Sequence, residues 1–415
     1  MNDVSQSTVI LKPAASDHSF DFDVTIVGAG PVGLALAGWL ARRSATRALK
    51  IALIDAREPE DSIADPRAIA VSHGSRMILE PLRWPADATA IERIHVSQRG
   101  HFGRTLIDHS EHGLPALGYV LRYGSIVHGL AEAVHATSVH WFRSASAATP
   151  TQDLDGVTLP IETAGVTRNL RTRILVNAEG GLFGDQKTAG SASSSAGHSA
   201  SGGTRDYGQT ALVGTVTVSA PQPHVAWERF TSQGPIALLP MGGVRGANYA
   251  LVWCCAPDEA ARRTQLPDDE FLSELGAAFG NRMGRFTQIK GRASFPLGLN
   301  AVDTLVNGHV VAIGNAAQTL HPVAGQGLNL GLRDAHALAD ALSTEGPTPL
   351  ALATFAQRRA LDRRLTIGAT DTLARLFTFD FPPLATLRGL ALTALEFVPP
   401  VKTALARQMM FGQRR

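Results

Sequence analysis

The order of apolar and polar positions divides the chain into strands and helices. The β-branched runs Asp23–Val27 and Lys50–Ile54 are typical of buried parallel strands, and the apolar and small residues of 34–41 predict a helix between them. Farther along, alternating runs separated by Pro and Gly predict a mostly antiparallel sheet. Those runs are Ala211–Val218, Ala226–Phe230, Ile236–Leu239 and Tyr249–Cys255.

The second half of the chain is richer in helical patterns. We predict a helix over Asp268–Phe279, a buried strand within Val306–Ile313 and a helix from about Gly327. Beyond Pro349 a helix is predicted with Leu361 and Leu365 among its apolar positions. Four arginines on its polar side predict a solvated face, with a membrane-surface patch as the alternative: Arg358, Arg359, Arg363 and Arg364.

A first glycine loop, residues 28–33, lies between the first strand and its helix. Gly28 permits a tight turn, Gly30 allows a phosphate to approach the backbone, and Gly33 lets helix and strand pack closely. The second strand then delivers Asp55, placed to accept hydrogen bonds from a ribose. The unit predicts a dinucleotide site, but it does not by itself distinguish FAD from NAD.

A second glycine loop, residues 314–331, leads into the helix predicted from Gly327. Free backbone N–H groups after Gly325-Gln326 would face an anion, and a reduced isoalloxazine ring carries negative charge near N1 and its C2 carbonyl. This arrangement predicts FAD as the cofactor.

With both loops, the chain resembles the group A flavin aromatic hydroxylases, and within them the ubiquinone-biosynthesis hydroxylase family. The similarity runs from about Asp21 to Phe411, and its most specific part is the segment His321–Asp334. Asn315–Gln318 resembles the branch that acts on 2-polyprenyl-6-methoxyphenol. The resemblance implies an enzyme that uses NAD(P)H and dioxygen to hydroxylate a polyprenylphenol ring through a flavin C4a-hydroperoxide.

The resemblance also implies individual roles. The expected cofactor-binding residues include Arg67, Asn315, Gly325, Gly327, Leu328 and Asn329. Near the flavin, His321 is a candidate general base, although fixing the loop through hydrogen bonds is an equal alternative. Pro322 and Gln326 are the other candidates there, and Gln326 is the more suited to shaping the loop.

Two positions depart from the family pattern. Glu179 stands where the superfamily has an aspartate, and the arginine expected soon afterwards is missing, which puts the local NAD(P)H contact in doubt. Near residue 124 the usual arginine position holds Gly124, and Arg122 is the candidate substitute. We keep Glu179 and Arg122 as predicted cofactor-binding residues.

Composition narrows the class of protein. With 415 residues, 44% of them hydrophobic, the chain predicts two interwoven domains. Its 38 basic and 36 acidic residues leave a net charge of +2, which argues against nucleic acid as a partner. The adjacent Cys254 and Cys255 lie in an apolar run, which favours buried core over a disulfide or metal site.

The predicted architecture is α/β: a Rossmann-like FAD-binding domain interwoven with a mostly antiparallel β-sheet substrate domain, followed by a helical C-terminus. The predicted segments are a disordered tail (1–20), FAD-binding domain (21–188, with a substrate-domain insertion near 80–118), Ser/Ala/Gly-rich linker (189–203), substrate domain (204–296), second FAD-binding part (297–345) and C-terminal helical region (346–415).

Location and partners follow from the same patterns. Met1–Phe20 lacks a signal-peptide pattern and no run of about 18 apolar residues occurs, so we expect a cytoplasmic protein. The apolar segments Leu384–Phe397 and Val401–Phe411 leave open docking on the core, dimerisation, or peripheral contact with the inner face of the membrane. Other quinone-biosynthesis proteins are candidate partners. Two alternatives to the leading function remain: a hydroxylase of a small soluble aromatic, and a non-catalytic scaffold.

Overall fold

A computed structural model of the chain describes residues 20–65, 67–100, 104–179, 203–322, 325–378 and 397–412. The predicted N-terminal tail, apart from Phe20, and almost all of the predicted 189–203 linker lie outside these ranges, as do most of the apolar segment 384–397. The helices within them are α1 Pro31–Arg42, α2 His73–Arg83, α3 Tyr123–His135, α4 Pro257–Gln265, α5 Asp268–Phe279, α6 Gln326–Glu345, α7 Pro349–Thr378 and α8 Pro399–Phe411.

Strands in the described ranges form three sheets. In chain order they are β1 Phe22–Val27, β2 Ile51–Ile54, β3 Ala68–Ser72, β4 Thr89–Ile91, β5 Arg93–Gln98, β6 Arg104–Asp108, β7 Gly118–Arg122, β8 His140–Phe142, β9 Ala145–Ala147, β10 Thr151–Gln152, β11 Val157–Thr163, β12 Val166–Asn177, β13 Gly203–Val218, β14 Val225–Thr231, β15 Gly234–Pro240, β16 Asn248–Cys255, β17 Phe286–Ala301, β18 Val306–Asn307, β19 Val310–Ala312 and β20 Gln318–Thr319.

The first sheet carries the nucleotide-binding pattern. Its parallel strands lie in the order β19–β12–β1–β2–β8, so the two strands predicted from β-branched runs are neighbours at its centre. Residues of α1, α3 and α6 bury one face of this sheet in the largest core cluster, and the hairpin strands β9 to β11 cover the other face. The predicted strand within 306–313 is instead a short hairpin of β18 and β19.

The eight-stranded sheet has the order β20–β17–β13–β16–β15–β14–β5–β6 and is antiparallel except for the β14–β5 pair. One face packs on α4 and α5, with Trp253 and Phe271 at the centre of that core. β17 continues in this sheet to Ala301, past the predicted boundary at 296. Cys254 and Cys255 are buried neighbours on β16, as the apolar run predicts.

A small antiparallel sheet of β3, β7 and β4 lies between the two larger sheets. Its residues Ala68, Ala70 and Val120 pack against Ala226 and Leu239 of the eight-stranded sheet. β5 and β6 come from the predicted insertion near 80–118 and complete the edge of the eight-stranded sheet. The two predicted domains are therefore built from segments that alternate along the chain.

Helix α7 corrects the sequence prediction. Arg359 and Asp362 are buried, with 5% and 0% of their surfaces exposed, whereas Leu361 and Leu365 are 56% and 42% exposed. Arg358 is exposed as predicted. Neither the solvated face nor the membrane-surface patch describes Arg359, because Arg359 and Asp362 face α6. Arg363 is half-buried and donates to Gln318, and Arg364 is exposed as predicted.

Candidate active site

Two glycines of the first glycine loop are required by the packing of the backbone. Gly28 has φ +105°, and a Cβ atom there would lie 2.7 Å from the carbonyl carbon of Ala178. A Cβ on Gly33 would overlap the carbonyl oxygen of Gly28. The sequence prediction of a tight turn and close helix–strand packing is consistent with both observations.

Gly30 has a different environment, which leaves room for a ligand. It is the N-cap of α1, no side chain caps that helix, and its first turn contains no acidic residue. A Cβ at Gly30 would meet only the Tyr123 hydroxyl, at 3.5 Å. The uncapped N–H groups of α1 therefore face open space with the partial positive charge that binds a phosphate.

Asp55 lies beside this helix end. Its Oδ2 accepts a hydrogen bond from the Ala29 amide at 2.6 Å, and its Oδ1 accepts one from the Arg57 amide at 2.8 Å. Each oxygen retains a lone pair for a ribose hydroxyl. Burial and the Asp55 charge raise the pKa of Glu179, so these two acidic residues lie at the same edge of the sheet.

The second glycine loop packs directly against the start of α1. A Cβ at Gly331 would lie 2.8 Å from a methyl group of Val32 and 3.0 Å from the Cα atom of Gly314. Gly314 has φ +61° and itself faces Val32. The fold thus brings together two glycine loops that are almost 300 residues apart in the sequence. Asn315, in the short 3-10 turn after Gly314, is exposed.

The start of α6 is a second uncapped helix end. Gly325 is its N-cap with φ +59°, no side chain caps it, and no acidic residue occurs in its first turn. A Cβ on Gly327 would meet nothing within 4 Å, so the space beside this helix end is open. Leu328 packs against the core and orients the turn. The helix begins at Gln326, one residue before the predicted start.

Side chains of the second glycine loop anchor it to distant strands. Asn329 is 2% exposed; its Oδ1 accepts from the Ser72 amide at 2.8 Å, and its Nδ2 donates to the carbonyls of Ala70 (3.0 Å) and Gly325 (2.7 Å). Gln326 donates to the Met409 carbonyl of α8 at 3.3 Å. These contacts place Asn329, a predicted cofactor residue, and Gln326, a predicted catalytic candidate suited to shaping the loop, in the support of the loop.

His321 connects the same loop to the eight-stranded sheet. Its Nε2 is 3.1 Å from Oε1 of Gln209 on β13, and its ring lies edge-on to Tyr207 with centroids 5.1 Å apart. Burial lowers the pKa of His321 to about 4, so it is neutral at physiological pH. Pro322 accepts a hydrogen bond from the Gly325 amide at 2.9 Å. This geometry favours the loop-fixing hypothesis for His321 over a general base.

The two predicted arginines occupy different positions. Arg67 forms an ion pair with Asp65 at 2.5 Å, and its guanidinium carbon lies 4.5 Å from the centre of the Tyr123 ring, the same tyrosine that faces Gly30. Burial alone would raise the pKa of Asp65, but the Arg67 hydrogen bonds and charge lower it. Arg122 lines a separate cleft of about 240 Å³ with Lys290.

A buried charge network behind the second glycine loop was not predicted. Asp334 of α6 accepts from Arg359 of α7 at 2.7 Å and from Gln318 at 2.8 Å. Arg359 also pairs with Asp362 at 2.6 Å, and Asp362 pairs with Arg333 at 2.8 Å. The sequence feature that could have predicted this network is the three-residue spacing of Arg359 and Asp362, which places both on one face of α7.

The residues present fit FAD. Two uncapped helix ends lie next to each other, open space borders Gly30 and Gly327, and Asp55 lies beside the start of α1, where it could accept hydrogen bonds from a ribose. A pyrophosphate at α1 and the flavin ring at α6 would use both helix dipoles. Asn315 is exposed and follows Gly314, which packs against Val32 of α1, and its side-chain amide could bond a ribityl hydroxyl.

Comparison with known proteins agrees with this geometry. A family model described as an FAD binding domain matches residues 21–359. The ubiquinone hydroxylase UbiL of Rhodospirillum rubrum is 31% identical over 94% of this chain and 89% of its own length. The 3-demethoxyubiquinol 3-hydroxylase of Escherichia coli is 28% identical, covering 90% and 94%.

Among solved structures, the p-nitrophenol 4-monooxygenase PnpA of Pseudomonas putida superimposes with a TM-score of 0.70 at 15% identity, covering 95% of this chain and 99% of that one. This likeness shows a shared fold. Together with the family match, it confirms the predicted architecture and the predicted cofactor: the chain belongs to the FAD-binding-domain family of flavin-dependent monooxygenases.

Proposed function

We propose that this protein hydroxylates the aromatic ring of a polyprenylated phenol in ubiquinone biosynthesis, with 2-polyprenyl-6-methoxyphenol as substrate. The named relatives UbiL and 3-demethoxyubiquinol 3-hydroxylase support the pathway. The observation that carries the substrate class is the inner face of the eight-stranded sheet. This face carries an apolar cluster made of Ala211, Val213, Val252, Cys254 and Leu297. Gln209, on the same face, contacts His321 of the second glycine loop.

In this proposal the chain's own residues bind and orient the reactants. The N–H groups at the start of α1 hold the pyrophosphate, Asp55 the ribose and Asn315 the ribityl chain, while the start of α6 stabilises negative charge on the flavin. Bound FAD supplies the activation of dioxygen. The apolar inner face would hold the phenol ring and exclude water from it.

We further propose NAD(P)H as the electron donor, with Arg122 and Glu179 as candidate contacts, while Arg67 lies along FAD. Arg122 and Lys290 give their shared cleft positive charge, which suits a phosphate group. The segment after Glu179, where the family arginine is missing, lies outside the described residues. Substitution of Arg122 by alanine should raise the KM for the dinucleotide and leave FAD content unchanged.

Peripheral contact with the inner face of the membrane is also part of the proposal. No helix among the described residues is long and apolar enough to cross a bilayer. Near the C-terminus, α8 and the residues before it expose Phe397 (78%), Val401 (53%) and Leu405 (38%). These side chains would reach the headgroup region while Ala406 and Met410 hold the helix on the protein.

The proposed hydroxylation is tested by analysing the product of the reaction. The purified FAD-loaded protein is incubated with a short-chain 2-methoxy-6-prenylphenol, NADH or NADPH and ¹⁸O₂, and the product is analysed by mass spectrometry. We expect a hydroxylated phenol containing one ¹⁸O atom. Quinone profiling of a deletion strain then identifies the ring position from the intermediate that accumulates. Turnover only of water-soluble phenols would support the small-aromatic alternative, and FAD binding without any turnover would support the scaffold.

A further inference from the structure

One acidic residue, Glu228 on β14, points into the region where the substrate ring is proposed to lie. Neighbouring residues on a strand point to opposite faces. The ring of Trp227 lies 6.1 Å from that of Phe279, and the Arg229 guanidinium lies 6.0 Å from the same ring, so these two side chains face helix α5. Glu228 and Ala226 therefore point to the inner face of the sheet.

That inner face lies against the flavin-binding part of the fold. Ala226 packs in a cluster with Ala70 of β3, and a Cβ at Gly325 would lie 3.3 Å from the Ala70 side chain. At the other end of the sheet, Gln209 on the same inner face contacts His321. Glu228 lies on the same inner face as Ala226 and Gln209, one of which reaches the second glycine loop through Ala70 and the other directly.

The neighbours of Glu228 offer it almost no polar partner. Ala237 is opposite it on β15, Val96 is opposite it on β5, and Val252 is next in the same row on β16. The thiol of Cys254 is the titratable group of the sheet that faces it, and burial followed by the Glu228 charge raises the pKa of that thiol. Among the described residues, none forms a hydrogen bond or ion pair with the Glu228 side chain.

The side chain of Glu228 is of intermediate exposure and lies among apolar neighbours, and burial raises its pKa to about 8. A carboxyl group that borders open solvent would keep an ordinary pKa. The nearby cations point elsewhere: Arg229 faces α5, and Arg282 binds His95 at 2.8 Å on the helix-covered side. His321, on the loop, is neutral.

We propose that Glu228 binds the ring hydroxyl of the phenolic substrate and accepts its proton during hydroxylation. This inference rests on the proposed function and adds the residue that recognises the hydroxyl group. The phenolic O–H bond breaks, the proton forms an O–H bond with the Glu228 carboxylate, and the electron pair remains on the phenol oxygen. The ring thereby gains electron density at the carbon to be hydroxylated.

Two physical arguments support the assignment. A buried carboxyl group without a partner is costly, and a ligand hydroxyl would supply the missing hydrogen bond. Proton transfer is most effective when the acceptor's pKa approaches that of the donor, and burial brings Glu228 closer to a phenol, whose pKa is about 10 in tyrosine. An ordinary surface glutamate would be a much weaker acceptor.

The experiment compares Glu228→Gln, which keeps hydrogen bonding but does not titrate, with Glu228→Leu, which loses both. Glu162→Gln, at an exposed position of β11, is the control. FAD content and thermal unfolding are recorded for each full-length protein. Dissociation constants for 2-methoxyphenol and its methyl ether 1,2-dimethoxybenzene are measured from the flavin absorbance change, and single-turnover hydroxylation of 2-methoxyphenol is followed from about pH 6.5 to 9.

We expect the wild type to bind the phenol about tenfold more tightly than the ether and its rate to rise through about pH 8. Glu228→Leu should lose the preference, and Glu228→Gln should keep it while losing the rise in rate. Wild-type preference in Glu228→Leu together with a wild-type pH profile in Glu228→Gln would overturn the inference. Should Glu228→Leu not fold, the Glu228→Gln profile decides alone.

The design separates this inference from the proposed function. A wild-type protein that neither binds nor hydroxylates any phenol would contradict the proposed function. A wild-type protein that hydroxylates the phenol, with both Glu228 variants behaving like it, would contradict only the role of Glu228.

Discussion

The starts of α1 and α6 are both uncapped helix ends preceded by glycine, yet different contacts hold them in place. The first glycine loop is built from backbone contacts of its own strand–turn–helix unit, since Gly28 meets Ala178 and Gly33 meets Gly28. The second is fixed by side chains from across the chain, such as Asn329 to Ser72 and His321 to Gln209. The comparison suggests that the pyrophosphate end is rigid by local geometry and the flavin end by long-range bonds.

This difference has a consequence for function. A site held by side chains can be adjusted by single substitutions that leave the fold intact, whereas the closely packed glycines of the first loop, Gly28 and Gly33, leave no room for a side chain. In the proposed function the second glycine loop also borders the substrate, and bonds from the eight-stranded sheet and from α8 connect the loop to the surfaces where substrate would lie.

The largest effect should come from the charges behind the second glycine loop. Arg359→Met would leave Asp334 and Asp362 short of a buried cation, and we expect the free energy of unfolding to fall by about 3–5 kcal/mol with loss of FAD. Arg358→Met, at the neighbouring exposed position, should change it by less than about 0.5 kcal/mol. Urea unfolding measures both, and equal losses would refute the network's role.

Alanine substitutions of Gly33 and Gly327 compare the closely packed first glycine loop with the open space at the second. Gly33→Ala should lower the free energy of unfolding by about 3 kcal/mol, because the new Cβ overlaps the Gly28 carbonyl, while Gly327→Ala should be nearly neutral because nothing lies near it.

Gly30→Val should fold but fail to bind FAD, because its side chain enters the phosphate space. Thermal unfolding and FAD stoichiometry are the measurements, and stoichiometric FAD in Gly30→Val would contradict the phosphate assignment.

Removal of one long-range anchor should loosen the flavin end alone. Asn329→Ala deletes one buried and two part-buried hydrogen bonds, and we expect a loss of about 2 kcal/mol in unfolding free energy and weaker FAD binding. Asn315→Ala, at an exposed position, should weaken FAD binding without changing stability. Calorimetry of apoprotein and FAD titration distinguish the two, and wild-type stability in Asn329→Ala would argue against the anchor.

The smallest effect concerns pH. The folded pKa of His321 is lowered to about 4 by burial, below the ordinary value of 6.5 that the unfolded chain has. The unfolded state therefore binds the proton first, and stability that is complete above about pH 6.5 is lost as the pH falls toward 4. We expect roughly 1–2 kcal/mol of this loss by pH 5, and His321→Asn should show a correspondingly flatter stability profile. An unchanged slope in His321→Asn would contradict the assignment.

The sequence alone determined the local units. The strand–glycine–helix–strand unit ending at Asp55 was predictable because its parts lie within about thirty residues and each has its own propensity. Helix α5 follows the predicted bounds Asp268–Phe279, since its apolar period and its flanking proline and glycine agree. The four alternating runs became β13 to β16 for the same reason.

Only the tertiary structure decided which polar groups are buried. Periodicity assumes that the buried face of a helix is apolar, and α7 breaks that assumption because Arg359 and Asp362 neutralise each other and Asp334 and Arg333 across the α6 interface. Likewise, Glu228 is an ordinary acidic residue in a strand pattern. Its position on the inner face depends on strand register and on the packing of two sheets, which arise from contacts between distant parts of the chain.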